Sequence, residues 1–488
     1  MNRLRLLPRL FPAALLLLLA ACAPFDPVRA RRDHTADFSA ELDARAAALA
    51  APLSLDDCVR LAMTNNYAVR RADLDRELAR LGRNASFGAF LPAVAATTGY
   101  TDRDYDNLLG RTSTGGYAIG PEDETATTLS VSLPVFVPST WFLYAAARHG
   151  YAAARVAAFY TRQSVVLQTT VDYCNVLVQQ DTVAALETQL EAARQFARRV
   201  EGLSAEGFAA SWEQGQADMQ VLARQTQLDS ARRRLGLLRA RLLQTLGLPP
   251  TAPVVLSGDT GGDRLPSGSL EDLVLLALER HPSLAIADRR VVMEEHAVRQ
   301  AFCAFLPTLS LNATHLWGGE DLTFEAIGCS TGFRGAWTLF SGFANLDRYR
   351  AAGARRRQTE LERENTFLSV IVGVIAAEAD LRDAAESVAI RQKAYDVYSA
   401  KSADFAARAA EGLLPLSEAL DARAEMDLAQ VALVRSRYQA KVAAANLELA
   451  LGTTLLPEGD PAAADAPGPR GEPAGTAPQP APEPKENP

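Results

Sequence analysis

Parts of this chain are written twice, and no other feature restricts its fold as strongly. Ser54-Leu55-Asp56-Asp57-Cys58-Val59-Arg60-Leu61-Ala62 aligns with Ser269-Leu270-Glu271-Asp272-Leu273-Val274-Leu275-Leu276-Ala277 at an offset of 215. The same offset carries Ala89-Phe90-Leu91-Pro92 onto Ala304-Phe305-Leu306-Pro307. Farther on, Glu206-Gly207 matches Glu411-Gly412 and Leu246-Gly247 matches Leu451-Gly452, now at an offset of 205. A single shortening between the two sets of landmarks reconciles the offsets. A duplication of this kind predicts two copies of one structural unit sharing a core. Residues 53–250 are repeat one, 251–268 a linker, and 269–456 repeat two.

Each copy reads helix, strand, strand, long helix, helix. In repeat one the helix stops at Pro92, and strands are expected at about 93–103 and 127–137. A long helix at about 140–203 and a helix at about 209–246 follow. Repeat two places strands at about 308–317 and 331–340, a long helix at about 344–408 and a helix at about 415–451. The strands alternate: Leu129, Val131 and Leu133 oppose Thr128, Ser130 and Ser132, and Leu309 and Leu311 oppose Ser310 and Asn312. Such faces suit a membrane barrel wall, and equally an ordinary half-buried hairpin. In hydrocarbon, four strands with two open edges cannot stand alone, because each unpaired backbone group costs several kcal/mol. The chain must then associate: two copies supply eight strands and three supply twelve. The polar stretch 102–126 reads as a loop between the first two strands.

A helix of about 64 residues is about 100 Å long. Val183, Leu186, Leu190, Ala193, Ala197 and Val200 repeat with coiled-coil spacing, as do Leu228, Ala231, Leu235, Leu238 and Leu242. The seam of repeat two is less apolar (Val388, Tyr395, Tyr398, Phe405). Helices 68–90 and 209–246 together match the long helix in length, so the two short helices are expected end to end beside it.

A net charge of −8 speaks against nucleic acid as partner. The chain has no GxxxxGK[ST], HExxH, GxSxG or CxxC motif, and its five histidines are scattered. No catalytic residue, metal site or cofactor is therefore expected. Arg3, Arg5 and Arg9 precede an apolar run of about ten residues, too short to span a bilayer. Residues 1–21 read as a signal peptide, and Leu19-Ala20-Ala21-Cys22 resembles the bacterial lipoprotein box, whose cysteine is acylated. Ala23 then suits sorting to the outer membrane. Residues 22–52 read as an N-terminal linker and 457–488 as a disordered Pro/Ala-rich tail. Cys58, Cys174, Cys303 and Cys329 are expected as free thiols. His315 lies on a strand and could face water. Tyr100, Trp317 and Trp337 suit either an aromatic girdle or packing at the barrel base.

The duplicated Leu-(Asp/Glu)-Asp opening, the Phe-Leu-Pro before the first strand, Phe136, Phe340-Ser341-Gly342 and the closing Leu-Gly resemble the TolC-like outer-membrane efflux family over residues 53–456. The resemblance implies a mainly α fold with a small membrane β-barrel part. Long coiled-coil helices would form an α-barrel, and four strands per protomer would contribute to a trimeric twelve-stranded β-barrel. It implies a homotrimer in outer-membrane lipid, extending into the periplasm and working with a periplasmic adaptor and an inner-membrane transporter. The role implied is passive exit of small molecules or secreted protein, not catalysis. Gly207 and Gly412 would be the hairpin tips, where the adaptor makes contact. Glu418 and Asp421 fall where the family can carry acids around the pore constriction. Their i,i+3 spacing puts both on one helix face, and acids in the first turns of a helix also favour its dipole without any pore. Leu414 stands where the family can carry a latching arginine, and Glu213 with Gln216 leaves the acidic pair of repeat one incomplete. The alternative in another class is a lipid-anchored periplasmic adaptor or coiled-coil scaffold.

Overall fold

The computed structural model describes residues 26–47, 52–102, 123–208, 210–258, 268–319, 325–411 and 413–453. The signal segment, Cys22, Gly412, most of the first polar loop and the tail 457–488 lie outside them. Ahead of the repeats comes α1 (Pro27–Ala47). Repeat one is α2 (Leu55–Asn65), α3 (Tyr67–Gly88), β1 (Ala93–Asp102), β2 (Asp123–Phe136), α4 (Pro138–Ala205) and α5 (Ser211–Thr245). Repeat two is α6 (Leu270–Arg280), α7 (Pro282–Phe302), β3 (Thr308–Gly319), β4 (Glu325–Ala336), α8 (Ala344–Ala410) and α9 (Leu416–Leu451).

Three elements differ from expectation in their bounds. Residues 22–52, expected as linker, contain the 21-residue helix α1. Its Ala- and Arg-rich run has no glycine and no internal proline, and Asp26 Oδ1 accepts from the Val28 and Arg29 amides at 2.9 and 3.2 Å. The strand expected at 127–137 begins earlier, at Asp123. The strand expected at 331–340 begins earlier, at Glu325, and ends earlier, at Ala336. There the Trp337 indole N–H donates to the Phe305 carbonyl at 3.0 Å, which draws the chain off the ladder. Gly342 and Phe343, at φ 62° and 66°, then turn it into α8.

The duplication is visible atom by atom. Ser54 and Asp57 form a capping box at α2, and Ser269 and Asp272 form the same box at α6. The Ser54 hydroxyl beside Asp57 holds that carboxyl down at about 2. Between the two helices of each N-terminal pair, the chain breaks at matched positions, Asn66 and His281, and each side chain caps the next helix. Asn66 Oδ1 accepts from the Ala68 amide at 2.7 Å, and His281 Nδ1 accepts from the Ser283 amide at 3.2 Å. The closing glycines fill the same notch. Gly247 and Gly452 have φ of 66° and 69°. A Cβ on Gly247 would lie 2.5 Å from the Asn65 carbonyl oxygen, and one on Gly452 would lie 2.7 Å from His281 Cα. Asn66 Nδ2 also donates to the Thr245 carbonyl at 2.7 Å, so α3 and α5 meet end to end beside α4.

The expected seam is buried at Val183, Leu190, Val200, Leu228, Ala231, Leu235 and Leu242. Around the break, Cys58, Ala62, Val69, Phe159, Tyr173, Leu242 and Leu246 form the densest core. Burial pushes the Cys58 thiol up to about 12, which makes it an inert packing group. Among the described residues Cys58, Cys174 and Cys303 are buried, Cys329 is exposed, and none forms a disulfide. Linker residues Val255 and Ser257 bracket Leu53 with backbone hydrogen bonds of 2.9 Å each, fastening the linker to the start of repeat one.

Ala at Gly247 must adopt a left-handed conformation and displace the Asn65 carbonyl. Gly247→Ala is expected to lower stability by roughly 2 kcal/mol or more, read by thermal unfolding of the detergent-solubilised protein. Burial lowers the His281 pKa to about 4, so the unfolded chain binds the proton first. Stability is then full above about pH 6.5 and falls by roughly 3 kcal/mol as the pH drops from there toward 4. His281→Asn, which installs the residue of the matched position, should keep the cap and flatten that pH dependence in melts at pH 7 and 5.

Candidate functional site

The four strands form one antiparallel sheet in the order β1-β2-β3-β4, so the two repeats join through β2 and β3. Register decides the faces. Val94 pairs with Val131, Val131 with Ala313, Leu133 with Leu311 and Leu311 with Phe333, giving one continuous apolar face. Ser132 pairs with Asn312, Ser130 with Thr314, Thr314 with Ser330 and Ser310 with Arg334, giving a polar one. The ladders slip twice, between Pro134 and Phe136 in β2, where a bulge accommodates a residue lacking an N–H, and between Leu316 and Trp317 in β3. Strands of 10 to 14 residues reach across a bilayer core. Within the chain the outer edges of β1 and β4 have no partner strand among the described residues.

His315 does not take the polar face. It shares the apolar face, opposite Leu129 and Cys329, with its ring 4.2 Å from that of Trp317. Tyr100 and Trp317 lie toward the loop end of that face, as a girdle requires, whereas Trp337 packs at the base.

At the far end of the helices, α4 stops at Ala205 and Gly207 follows with φ 81°. The Phe208 amide donates to the Leu203 carbonyl at 2.8 Å, a six-to-one closure. The Leu413 amide makes the equivalent bond to the Arg408 carbonyl at 2.9 Å, so both tips close alike although Gly412 itself is not described. Around the tips Phe208, Trp212, Met219 and Leu413 are each more than 65% exposed, a cluster of large apolar side chains that no part of the described chain covers.

Glu418 and Asp421 are both exposed on the first turns of α9. Asp421 also lines a cleft of about 360 Å³ with Gln189, Gln220 and Arg224 of repeat one. Glu425 extends the pair to an i, i+3, i+7 stripe, and its carboxylate accepts from Lys401 Nζ at 2.6 Å. That hydrogen bond, with the charge of Glu425 behind it, raises the Lys401 pKa. The stripe is legible in the spacing; the lysine from the neighbouring helix is not. The structure also brings together two of the five histidines, His149 and His296, with ring centroids 5.6 Å apart. Burial lowers both pKa values. No group of three or more His, Cys, Asp or Glu side chains suited to a metal occurs among the described residues. No described helix is long and apolar enough to cross a membrane.

The sequence model of the family described as outer membrane efflux protein matches residues 58–248 and 273–453, one block per repeat. The chain belongs to the outer membrane efflux protein family. Protein CyaE of Bordetella pertussis is 28% identical over 153 residues, covering 30% of this chain. The chain thus spans about a third of that relative, 32% of its length. Among solved structures, the CmeC outer membrane channel of Campylobacter jejuni superposes with a TM-score of 0.72 at 18% identity, covering 82% of this chain and 85% of that one. VceC, the outer membrane protein of Vibrio cholerae, gives 0.65 at 16% identity, covering 82% and 96%. The open-state MtrE outer membrane channel of Neisseria gonorrhoeae gives 0.65 at 18%, covering 82% and 89%. These likenesses establish the mainly α channel fold with its small sheet. The outer membrane efflux protein family places the chain in the outer membrane, with the helices extending into the periplasm; there an apolar sheet face suits lipid and a polar one water.

Neighbouring residues of β2 should therefore respond oppositely to charge. Val131→Arg, on the lipid side, is expected to cost about 2–4 kcal/mol and to reduce assembly into the outer membrane. Ser130→Arg, on the lumen side, should assemble normally. Heat-modifiable mobility of the membrane-extracted protein reads both.

Proposed function

We propose that the chain is the outer-membrane channel of a tripartite export system. Three copies close one duct across the outer membrane and periplasm. Small molecules or secreted polypeptide leave through it passively, delivered by an inner-membrane transporter through a periplasmic adaptor. The single observation that carries this reading is the amphipathic four-stranded sheet with two open edges. Roughly ten unpaired backbone groups per edge in hydrocarbon would cost tens of kcal/mol, so neighbours must complete the ladder through β1 and β4. Eight strands make a barrel that side chains fill, so twelve is the smallest multiple of four that leaves an aqueous bore.

The helices support the same closure. α3 leads into β1 and exposes Leu74, Leu78 and Leu81; α8 follows β4 and exposes Leu361, Leu368 and Ile375 at heptad spacing. These stripes sit on the elements that continue from opposite sheet edges. A head-to-tail ring puts the α3 stripe of one copy against the α8 stripe of the next. Acylation at Cys22 would add a lipid anchor to this assembly. The apolar side chains around Gly207 and Gly412 are the surface for the adaptor's hairpin. Glu418 and Asp421, repeated by three-fold symmetry, supply six carboxylates around the entrance and favour cations.

Purified protein in planar bilayers should give a cation-selective conductance. Glu418→Ala combined with Asp421→Ala should lower the cation-to-anion permeability ratio severalfold without abolishing conductance. An unchanged ratio would remove the ring assignment, and absence of any conductance would remove the duct.

A further inference from the structure

A cleft of about 440 Å³ opens where the sheet meets the helices, within the ~300–1,000 Å³ range of ligand sites. It lies between the first turn of α4 (Pro138, Trp141, Phe142), the last turn of α7 (Val298, Arg299, Phe302) and Tyr349 of α8. Phe136, the last residue of β2, forms its upper wall. Phe136 pairs with Leu309, which shares a face with Leu311, so the cleft continues the lipid-facing side of the sheet. Its lining is aromatic and aliphatic throughout, with one charged residue, Arg299. Arg299 makes no salt bridge among the described residues. Trp141 and Phe302 are 56% and 52% exposed, an unusual amount of aromatic surface to leave against water. The cleft sits beneath β2 and β3, the central strand pair, so ring closure through β1 and β4 leaves it on the outer wall.

We propose that this cleft is a phospholipid site: it takes one acyl chain of a phospholipid from the periplasmic leaflet, and Arg299 binds that lipid's phosphate. The proposal rests on the outer-membrane channel reading, which sets the depth of the cleft, but not on any cargo or partner. Three features of the site select the ligand. The apolar trough is continuous with the bilayer, so a chain enters it without crossing water. The guanidinium at the rim is a cation with no carboxylate partner, and its planar fork matches phosphate oxygens. Trp141 and Tyr349 carry the amphipathic rings that favour the headgroup level.

The test uses the full chain, purified as its assembled oligomer in a mild detergent. It is titrated with dioleoyl phosphatidylglycerol, and bound lipid is counted by native mass spectrometry. One lipid per protomer is expected. Arg299→Gln should weaken binding roughly tenfold, and Arg299→Lys should retain most of it. Val298→Trp, which fills the trough, should abolish binding; if that variant fails to assemble, the Arg299 pair carries the test alone. Equal uptake by all the proteins would overturn the site. So would uptake seen only after Cys22→Ser, because the chain's own anchor would then be the occupant. Displacement of the lipid by inorganic phosphate at matched concentration would reduce the site to a headgroup contact and also overturn it. Conductance measured on the same samples separates the two readings. A conducting oligomer that ignores the lipid refutes only the cleft, whereas a non-conducting one refutes the channel.

Discussion

Backbone hydrogen bonding inside a solvent that offers none governs this structure. Strand pairing carries the sheet: β1 is laddered to β2, β2 to β3 and β3 to β4, interrupted only at two register shifts. The two outer edges are left over, and lipid makes them untenable alone. One chain is therefore a segment of a wall. Much else that looks wasteful in a single copy follows from that incompleteness: the leucines exposed along α3, the heptad stripe on α8, and the total of large apolar side chains left uncovered.

A second constraint acts at the waist, where two short helices must do the work of one long one. The chain breaks at Asn66 and His281, and each break would strand the first amides of the following helix. The capping side chains satisfy them, and the closing glycines let the end of the C-terminal helix press against the break with no Cβ between. The same notch is built twice with different caps, an amide in one repeat and an imidazole in the other. Only the imidazole titrates in the range of an acidifying environment, so the two halves share a geometry and differ in their response to protons.

Much of this architecture is legible in the residues. The offsets of 215 and 205 reveal two units, and proline, heptads and alternation locate the helices and strands. Boundaries were less legible where a single tertiary contact decides them. Trp337-Thr338-Leu339-Phe340 alternates like a strand, yet the indole bond to Phe305 takes it off the sheet. The face of His315 is not legible in the strand's alternation, where a polar side chain can take the wet side; cross-strand register puts it beside Leu129 and Trp317. Helix α1 gave only a composition signal, since its amphipathic character is slight and Asp26 is a modest cap.

The acidic stripe shows the same division on a smaller scale. Spacing along α9 reveals Glu418 and Asp421 as one face, because i,i+3 neighbours share a side of any helix. That Lys401 reaches across to Glu425, and that Asp421 looks toward Gln220 and Arg224, depends on how α8 and α5 lie against α9. By itself the sequence determined what is periodic or local: the duplication, the helix lengths, the caps, and the two-faced strands, since these depend on residues a few positions apart. Tertiary structure alone decided which strands pair, which face each side chain takes, and where distant helix ends meet to open a cleft. Those outcomes depend on contacts between residues more than two hundred positions apart, and no local pattern encodes such a distance.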